Sequence, residues 1–277
     1  MGRVMMASLT NTLANTGLLI ATHNQGKLRE IQQLLTPFAI DCLSAADKQL
    51  PEPVEDGQTF AENAMIKSVA AVKEAGMPTL ADDSGLVVPA LGGDPGIYSA
   101  RWAGPRKDFN YAMKSVRIAL EAKRQPLDSE AYFVCVLSLA LPSQISCPTS
   151  DIPKIPPPAC GGVREQGSRT GGALPRAGSI DGSSRVAVPP LTSPPQAGGI
   201  EYEVSTTESD GIQCINIEGR VYGSLTFPPR GDGGFGYDPI FVAKGMEQTF
   251  GEISSDKKQA ISHRANAFRG LMEVIGG

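Results

Sequence analysis

The chain of 277 residues carries 25 Lys and Arg against 29 Asp and Glu, a formal net charge of -4, with 41% hydrophobic residues. That length suits one large or two small domains, and the apolar share is sufficient for a core. The mildly acidic balance argues against a dedicated duplex-binding protein, which presents a basic face, and leaves a nucleotide substrate open.

Residues 1–16 read as a variable N-terminal extension, and the buried strand that follows is Gly17-Leu18-Leu19-Ile20-Ala21-Thr22. Leu28, Ile31, Leu34 and Leu35 then repeat at helical spacing, giving a strand, loop, helix opening. A second helix begins at the capping box Thr59-x-x-Glu62, continues through Met65, Val69 and Val72, and stops at Gly76. Between the apolar runs of Thr79 to Val88, the segment Asp82-Asp83-Ser84-Gly85 reads as a turn at a strand end. Phe109, Met113, Val116 and Leu120 mark a third amphipathic helix. Tyr132 to Leu141 reads as a central strand, Gly211 to Ile217 and Arg220 to Phe227 as later strands, and Ile261, Ala265, Phe268 and Met272 as one face of a final helix. This mixture of strands and helices predicts an α/β or α+β domain.

From 142 to 210 the composition changes abruptly to Pro, Gly and Ser, with Pro156-Pro157-Pro158, Pro189-Pro190 and Pro194-Pro195. Such a stretch buries too little apolar surface to offset its ordering entropy. It is read as a disordered insertion at a hairpin tip, dividing a single domain into 17–141 and 211–277. Cys42, Cys135, Cys147, Cys160 and Cys214 are odd in number and contain no Cys-x-x-Cys pair, as expected of reduced thiols in a cytoplasmic protein. The apolar stretch Val4 to Leu9 is interrupted by Thr10-Asn11-Thr12 before a signal-peptide core forms, and no run reaches membrane-spanning length. No membrane partner is expected.

Four constellations carry chemistry. Two adjacent carboxylates in one buried turn repel each other unless a hard cation or hydrogen-bond donors offset them, so Asp82-Asp83-Ser84 reads either as a general base and metal ligand or as a solvated turn. Thr22-His23-Asn24-Gln25-Gly26-Lys27 leaves a strand and opens a helix, where free amides and a lysine suit phosphate; the alternative is a plain turn capped by Asn24. It lacks the spacing of a Walker loop. Gly231-Asp232-Gly233-Gly234-Phe235-Gly236 matches Gly-x-Gly-x-x-Gly formally, yet Tyr237-Asp238-Pro239 follows in place of a helix. It reads as a loop delivering Phe235 for stacking and Asp238 as an acceptor for a heterocycle, or as a glycine-rich hairpin with core aromatics. Lys258, Ser262, His263 and Arg264 gather near a helix start and suit phosphate or a base carbonyl, or else form a solvated helix end. Two histidines exclude a multi-His zinc site.

In this order, Thr22-x-Asn24-x-x-Lys27, Glu55-Asp56-Gly57-x-Thr59-Phe60-x-Glu62-Asn63-Ala64, Ala81-Asp82-Asp83-Ser84-Gly85-Leu86, Leu91-Gly92-Gly93-x-Pro95-Gly96-x-Tyr98-Ser99-Ala100-Arg101, Gly233-Gly234-Phe235-Gly236-Tyr237-Asp238-Pro239 and Ser262-His263-Arg264 closely resemble the Ham1/inosine triphosphatase family. The resemblance covers about 17–141 and 211–275. It implies an elongated two-lobed α/β domain with a central mixed sheet and an active site in the cleft between the lobes. It also implies cleavage of ITP, dITP and XTP to the monophosphate and pyrophosphate, with Mg2+, in a homodimer without a stable nucleic-acid partner. The alternatives are a catalytically impaired nucleotide-binding protein or a pyrophosphatase of other (d)NTP preference. Carried over by position, the resemblance gives Thr22, His23, Asn24, Gln25, Gly26 and Lys27 to the triphosphate, and base and metal duty to Asp83. Ser84 contacts substrate, Phe235, Gly236, Tyr237 and Asp238 hold the purine, and Lys258, His263 and Arg264 complete its recognition. Glu55 is the expected second metal ligand, and Asn63 and Lys67 face the phosphates as a supporting pair.

Overall fold

The computed structural model describes residues 2–22, 25–143, 145 and 202–276. An open, mixed sheet runs in the order β2 (Cys42–Ser44), β1 (Leu18–Ile20), β3 (Thr79–Val87), β4 (Glu130–Leu141), β6 (Ile212–Leu225) and β5 (Tyr202–Ser209), with β7 (Phe241–Ala243) paired to β6. β1 is parallel to β2 and β3, whereas β3, β4, β6 and β5 pair antiparallel in turn.

Helix α3 (Phe60–Ala75) covers one face of this sheet. Its sequence signals work as expected: the Thr59 side chain accepts from the Glu62 amide at 3.1 Å, and Gly76 ends the helix in the left-handed region. Ala64, Val69 and Val72 pack there on Val134, Val136 and Ala140 of β4.

The opposite face carries two apolar clusters. Leu28, Ile31 and Leu35 of α2 (Gln25–Leu35), with Phe268, Leu271 and Ile275 of α6 (His263–Gly276), cover Leu80, Leu137, Leu139 and Ile217. Ala112, Met113, Val116 and Leu120 of α4 (Phe109–Ala122), with Phe241 and Phe250, cover Leu86, Phe133 and Leu225. Along this face of β3 the residues run Leu80, Asp82, Ser84, Leu86, so the two polar side chains fall between the two clusters.

Several elements depart from the sequence reading. Asp82 to Gly85 form no turn: all four lie inside β3, and each pairs with a residue of β4. The two expected late strands are one, β6, bent around no break at Gly219. There α6 approaches so closely that an added Cβ would lie 2.2 Å from the Ala267 nitrogen. The expected final helix is two, α5 (Ser255–Ile261) and α6, separated at Ser262, whose backbone is extended and whose hydroxyl accepts from the Ala265 amide at 3.2 Å. The N-terminal stretch is a helix, α1 (Gly2–Thr16), which seats Leu9 and Leu13 in the core beside α6. β4 and β6 pair as expected of the strands flanking the insertion, but β5 stands between them in sequence, inside the 142–210 stretch. Residues 146–201 lie outside the described residues.

Cys42, Cys135 and Cys214 are free thiols, and no described helix is long and apolar enough to cross a membrane. Cys147 and Cys160 fall outside the described residues. Gly219→Ala is expected to destabilise the fold by about 2 kcal/mol or more, because the backbone of α6 must retreat from β6. A thermal melt within about 1 °C of wild type would contradict that contact.

Candidate active site

β1 leaves β3 after the Ile20 and Leu80 pair, so from Asp82 onward that edge of β3 has no partner strand among the described residues. Along it the Ser84 amide donates to Asp83 Oδ1 at 3.0 Å, and the Leu86 amide to Ser99 Oγ at 2.9 Å. Side chains alternate along a strand, so Asp82 and Asp83 stand on opposite faces at this open edge. Each gathers a different set of partners.

On the α2/α6 face, Lys27 Nζ lies 2.6 Å from Asp82 Oδ2, and the Ser84 hydroxyl donates to the same oxygen at 3.2 Å. Burial alone would raise the Asp82 pKa, but the charges of Lys27, Arg264 and Lys67 hold it well below the usual carboxylate range. It is a fixed anion. His263 stacks on Phe133 with ring centroids 5.0 Å apart, and its Nδ1 is buried without a hydrogen-bond partner among the described residues. Burial, then the neighbouring cations Arg264, Lys258 and Lys27, push its pKa well down, so the imidazole is neutral.

On the α3 face, Lys67 Nζ sits 2.9 Å from Glu55 Oε1 and 3.9 Å from Asp83 Oδ1. Burial works against its charge, yet Asp82, Asp83 and Glu55 outweigh that and hold its pKa above the ordinary value. Asp83 behaves oppositely to its neighbour. Burial raises its pKa to about 6, Lys67 opposes the rise, and Glu55 and Asp82 add to it. Asn63 Nδ2 donates to Asp83 Oδ2 at 3.3 Å.

The aromatic loop closes the α2/α6 side. Asp238, 2% exposed, accepts from the Phe235 amide at 2.7 Å and from Lys258 Nζ at 2.5 Å through one oxygen. This folds the Gly233–Gly236 turn around the carboxylate, and both Gly234 and Gly236 use positive φ to make it. The Phe235 ring is left 58% exposed, with Lys258 Nζ 4.4 Å and Arg264 Cζ 5.6 Å from its centroid. An exposed aromatic ring with two cations over it suits a flat, carbonyl-bearing heterocycle.

Residues 18–150 and 203–274 match the model of the Ham1 family. The chain belongs to the Ham1 family. A dITP/XTP pyrophosphatase of Zymomonas mobilis is 41% identical, across 92% of this chain and 90% of the relative. One of Rhodospirillum centenum is 40% identical across 94% of each. Among solved structures, a HAM1 protein from Coxiella burnetii superposes with a TM-score of 0.65 at 29% identity, over 94% of this chain and 98% of that one. The Staphylococcus aureus Ham1 protein gives 0.62 at 27% identity, over 93% and 96%.

Within this Ham1 fold, Lys27, Asp82, Ser84, Lys258, His263 and Arg264 lie on one side of the β3 edge and Glu55 and Asp83 on the other. Tyr237 is turned inward: it is 2% exposed, its hydroxyl donates to the Ser99 carbonyl at 2.8 Å, and its ring meets Phe109 edge-on. Thr22 ends the described part of its loop, His23 and Asn24 lie outside the described residues, and Gln25 and Gly26 open α2. Sequence reasoning gave no role to Ser99 or Arg101. Arg101 donates to the Glu55 carbonyl at 2.8 Å, and Ser99 receives both the β3 amide of Leu86 and the Tyr237 hydroxyl. The Pro95-Gly96 pair marks that segment as a turn but says nothing of what it ties together.

No group of three or more His, Cys, Asp and Glu is arranged to hold a metal among the described residues. The pair Glu55 and Asp83 nevertheless fits a hard divalent cation: both offer carboxylate oxygens, and a single lysine, Lys67, lies 2.9 Å from one and 3.9 Å from the other. With the folded pKa above the ordinary 3.8, ionising Asp83 costs nothing below pH about 4, costs progressively more up to about 6, and its full cost is reached above that. Asp83→Asn is therefore expected to raise the Tm of metal-free protein more at pH 8 than at pH 4, and equal shifts at both would count against this account.

Proposed function

We propose that this protein hydrolyses nucleoside triphosphates of 6-oxo purines that lack a 2-amino group, dITP and XTP together with ITP, releasing the monophosphate and pyrophosphate. The observation that carries the reading is Arg264, which faces the Asp82 cluster on one side and the Phe235 ring on the other. One site thus joins a phosphate-binding half to a base-binding half. The names of the Zymomonas mobilis and Rhodospirillum centenum relatives support the substrate class.

In this reading a triphosphate lies across the open edge of β3. Lys27 and the helix start behind it receive the phosphate oxygens, and Asp82 holds Lys27 in place. Asp83, a carboxylate at the open edge of β3, takes the proton of the attacking water. Lys67 offsets the resting negative charge of Asp83 and Glu55. Mg2+, held by Asp83 and Glu55, would stabilise charge on the leaving pyrophosphate. On the base side, Phe235 stacks, while Lys258 and Arg264 offer donors to the 6-oxo group. A 6-amino group leaves those donors unpaired, which disfavours ATP. His263, neutral and buried, shapes that pocket. The reading includes a cytoplasmic homodimer without membrane or nucleic-acid partners.

Pyrophosphate release from dITP, XTP and ITP, against ATP and GTP, with Mg2+, tests this directly. Asp83→Asn should lower kcat by about 100-fold or more. Phe235→Ala should raise KM for ITP roughly 10-fold with a smaller change in kcat, since stacking contributes about 1–3 kcal/mol to binding. Tight binding of ITP without release would leave a nucleotide-binding protein, and equal rates on all five nucleotides would remove the proposed role of Lys258 and Arg264.

A further inference from the structure

Asn63 is 1% exposed at the start of α3, and both ends of its amide are used inside the protein. Oδ1 accepts the Gly57 backbone N–H at 2.9 Å, and Nδ2 donates to Asp83 Oδ2 at 3.3 Å. The first bond fixes the second: a backbone N–H can only donate, so the carbonyl end must face Gly57 and the amino end must face Asp83. Gly57 lies two residues after Glu55 on the loop whose carbonyl Arg101 also holds. One rigid, buried side chain therefore spans the Glu55 loop and the carboxylate on β3.

We infer that Asn63 is a positioning residue, which sets the separation of Glu55 and Asp83 and keeps the Asp83 oxygens aimed for a divalent cation, rather than a contact to the phosphates. This rests on the proposed roles of Asp83 and Glu55. Gly57 belongs to the same device. Its φ is not in the left-handed region, so the backbone accepts alanine, but a Cβ there would stand 2.7 Å from Asn63 Oδ1 and 2.8 Å from the Glu62 Cβ. The glycine leaves the amide the space it needs. Groups that orient metal-binding carboxylates typically affect affinity or rate by about 10- to 100-fold when removed.

Two variants test this in the full chain. Asn63→Leu keeps the volume and removes both bonds; Gly57→Ala leaves every polar side chain chemically unchanged and displaces the Asn63 amide. Each is measured for kcat and KM on ITP, and for binding of Mn2+ alone, without nucleotide, by electron paramagnetic resonance. The expected result for folded variants is Mn2+ affinity and kcat both reduced by about 10-fold or more, with KM for ITP changed by less than about 3-fold. If Asn63→Leu does not fold, Gly57→Ala decides. Mn2+ affinity at the wild-type level in a folded variant overturns the proposal even if kcat falls. A raised KM with unchanged kcat also overturns it, because Asn63 would then act on the bound substrate. Asp83→Asn is run alongside: full activity there defeats the assignment of Asp83 itself, whereas an inactive Asp83→Asn beside a wild-type-like Gly57→Ala and Asn63→Leu defeats only the role of Asn63.

Discussion

Side chains alternate along a strand, and on β3 that alternation separates two neighbouring carboxylates into two environments. Asp82 meets Lys27, Ser84 and the field of Arg264, and its pKa is held well below the usual carboxylate range. Asp83, one residue on, meets Lys67 together with Glu55, and burial raises its pKa to about 6. Had the pair occupied one turn, their mutual repulsion would have been the dominant effect. The strand converts repulsion into a division of labour, and pairing with β4 over the full length of β3 prevents the register from slipping. A slip of one residue would turn each carboxylate to the other face.

The open edge is the second condition. Groups on opposite faces of a covered sheet cannot serve one ligand, because the sheet lies between them. β1 is short and ends at Ile20, so beyond Leu80 a ligand can wrap the edge and reach both faces. The same ending releases the chain into the loop before α2, at the carboxyl end of a parallel strand, where ligands of α/β sheets characteristically bind. Polar residues at this point interrupt the core between its two apolar clusters on that face. Ser99, bonded to the Leu86 amide and the Tyr237 hydroxyl, closes the far end of the gap. Gly85 permits that closure, since a Cβ there would meet the Gly96 carbonyl and Ser99 Oγ at 2.5 Å.

Much of this was legible in residue types. The capping box at Thr59, the stop at Gly76 and the apolar spacing of α2 and α4 depend on neighbours within a few positions, and each lies where its local signal puts it. Asp82-Asp83-Ser84-Gly85 misled because turn-forming residues were weighed by local preference, whereas nine consecutive pairings with β4 decide the backbone there. Gly219 misled for a similar reason: it relieves the approach of α6 and breaks nothing in β6. The Glu55, Asn63 and Asp83 linkage was invisible because it joins three separate segments through one side chain. For α1, the apolar stretch was visible, but its partner surface on α6 was not.

The break between α5 and α6 shows how a local rule can decide the chemistry of the site. Lys258 and Arg264 are six residues apart, so on one continuous helix they would point about 120° away from each other and could not flank a single ring. Ser262 adopts an extended backbone, ends α5, and with its hydroxyl on the Ala265 amide starts α6 along a new direction. Lys258 and Arg264 then both reach Phe235, while His263 turns inward onto Phe133. A serine that reads as a modest polar residue among stronger candidates is therefore what brings two cations to one aromatic face. The base-binding half of the proposed site depends on that interruption as much as on the charges themselves.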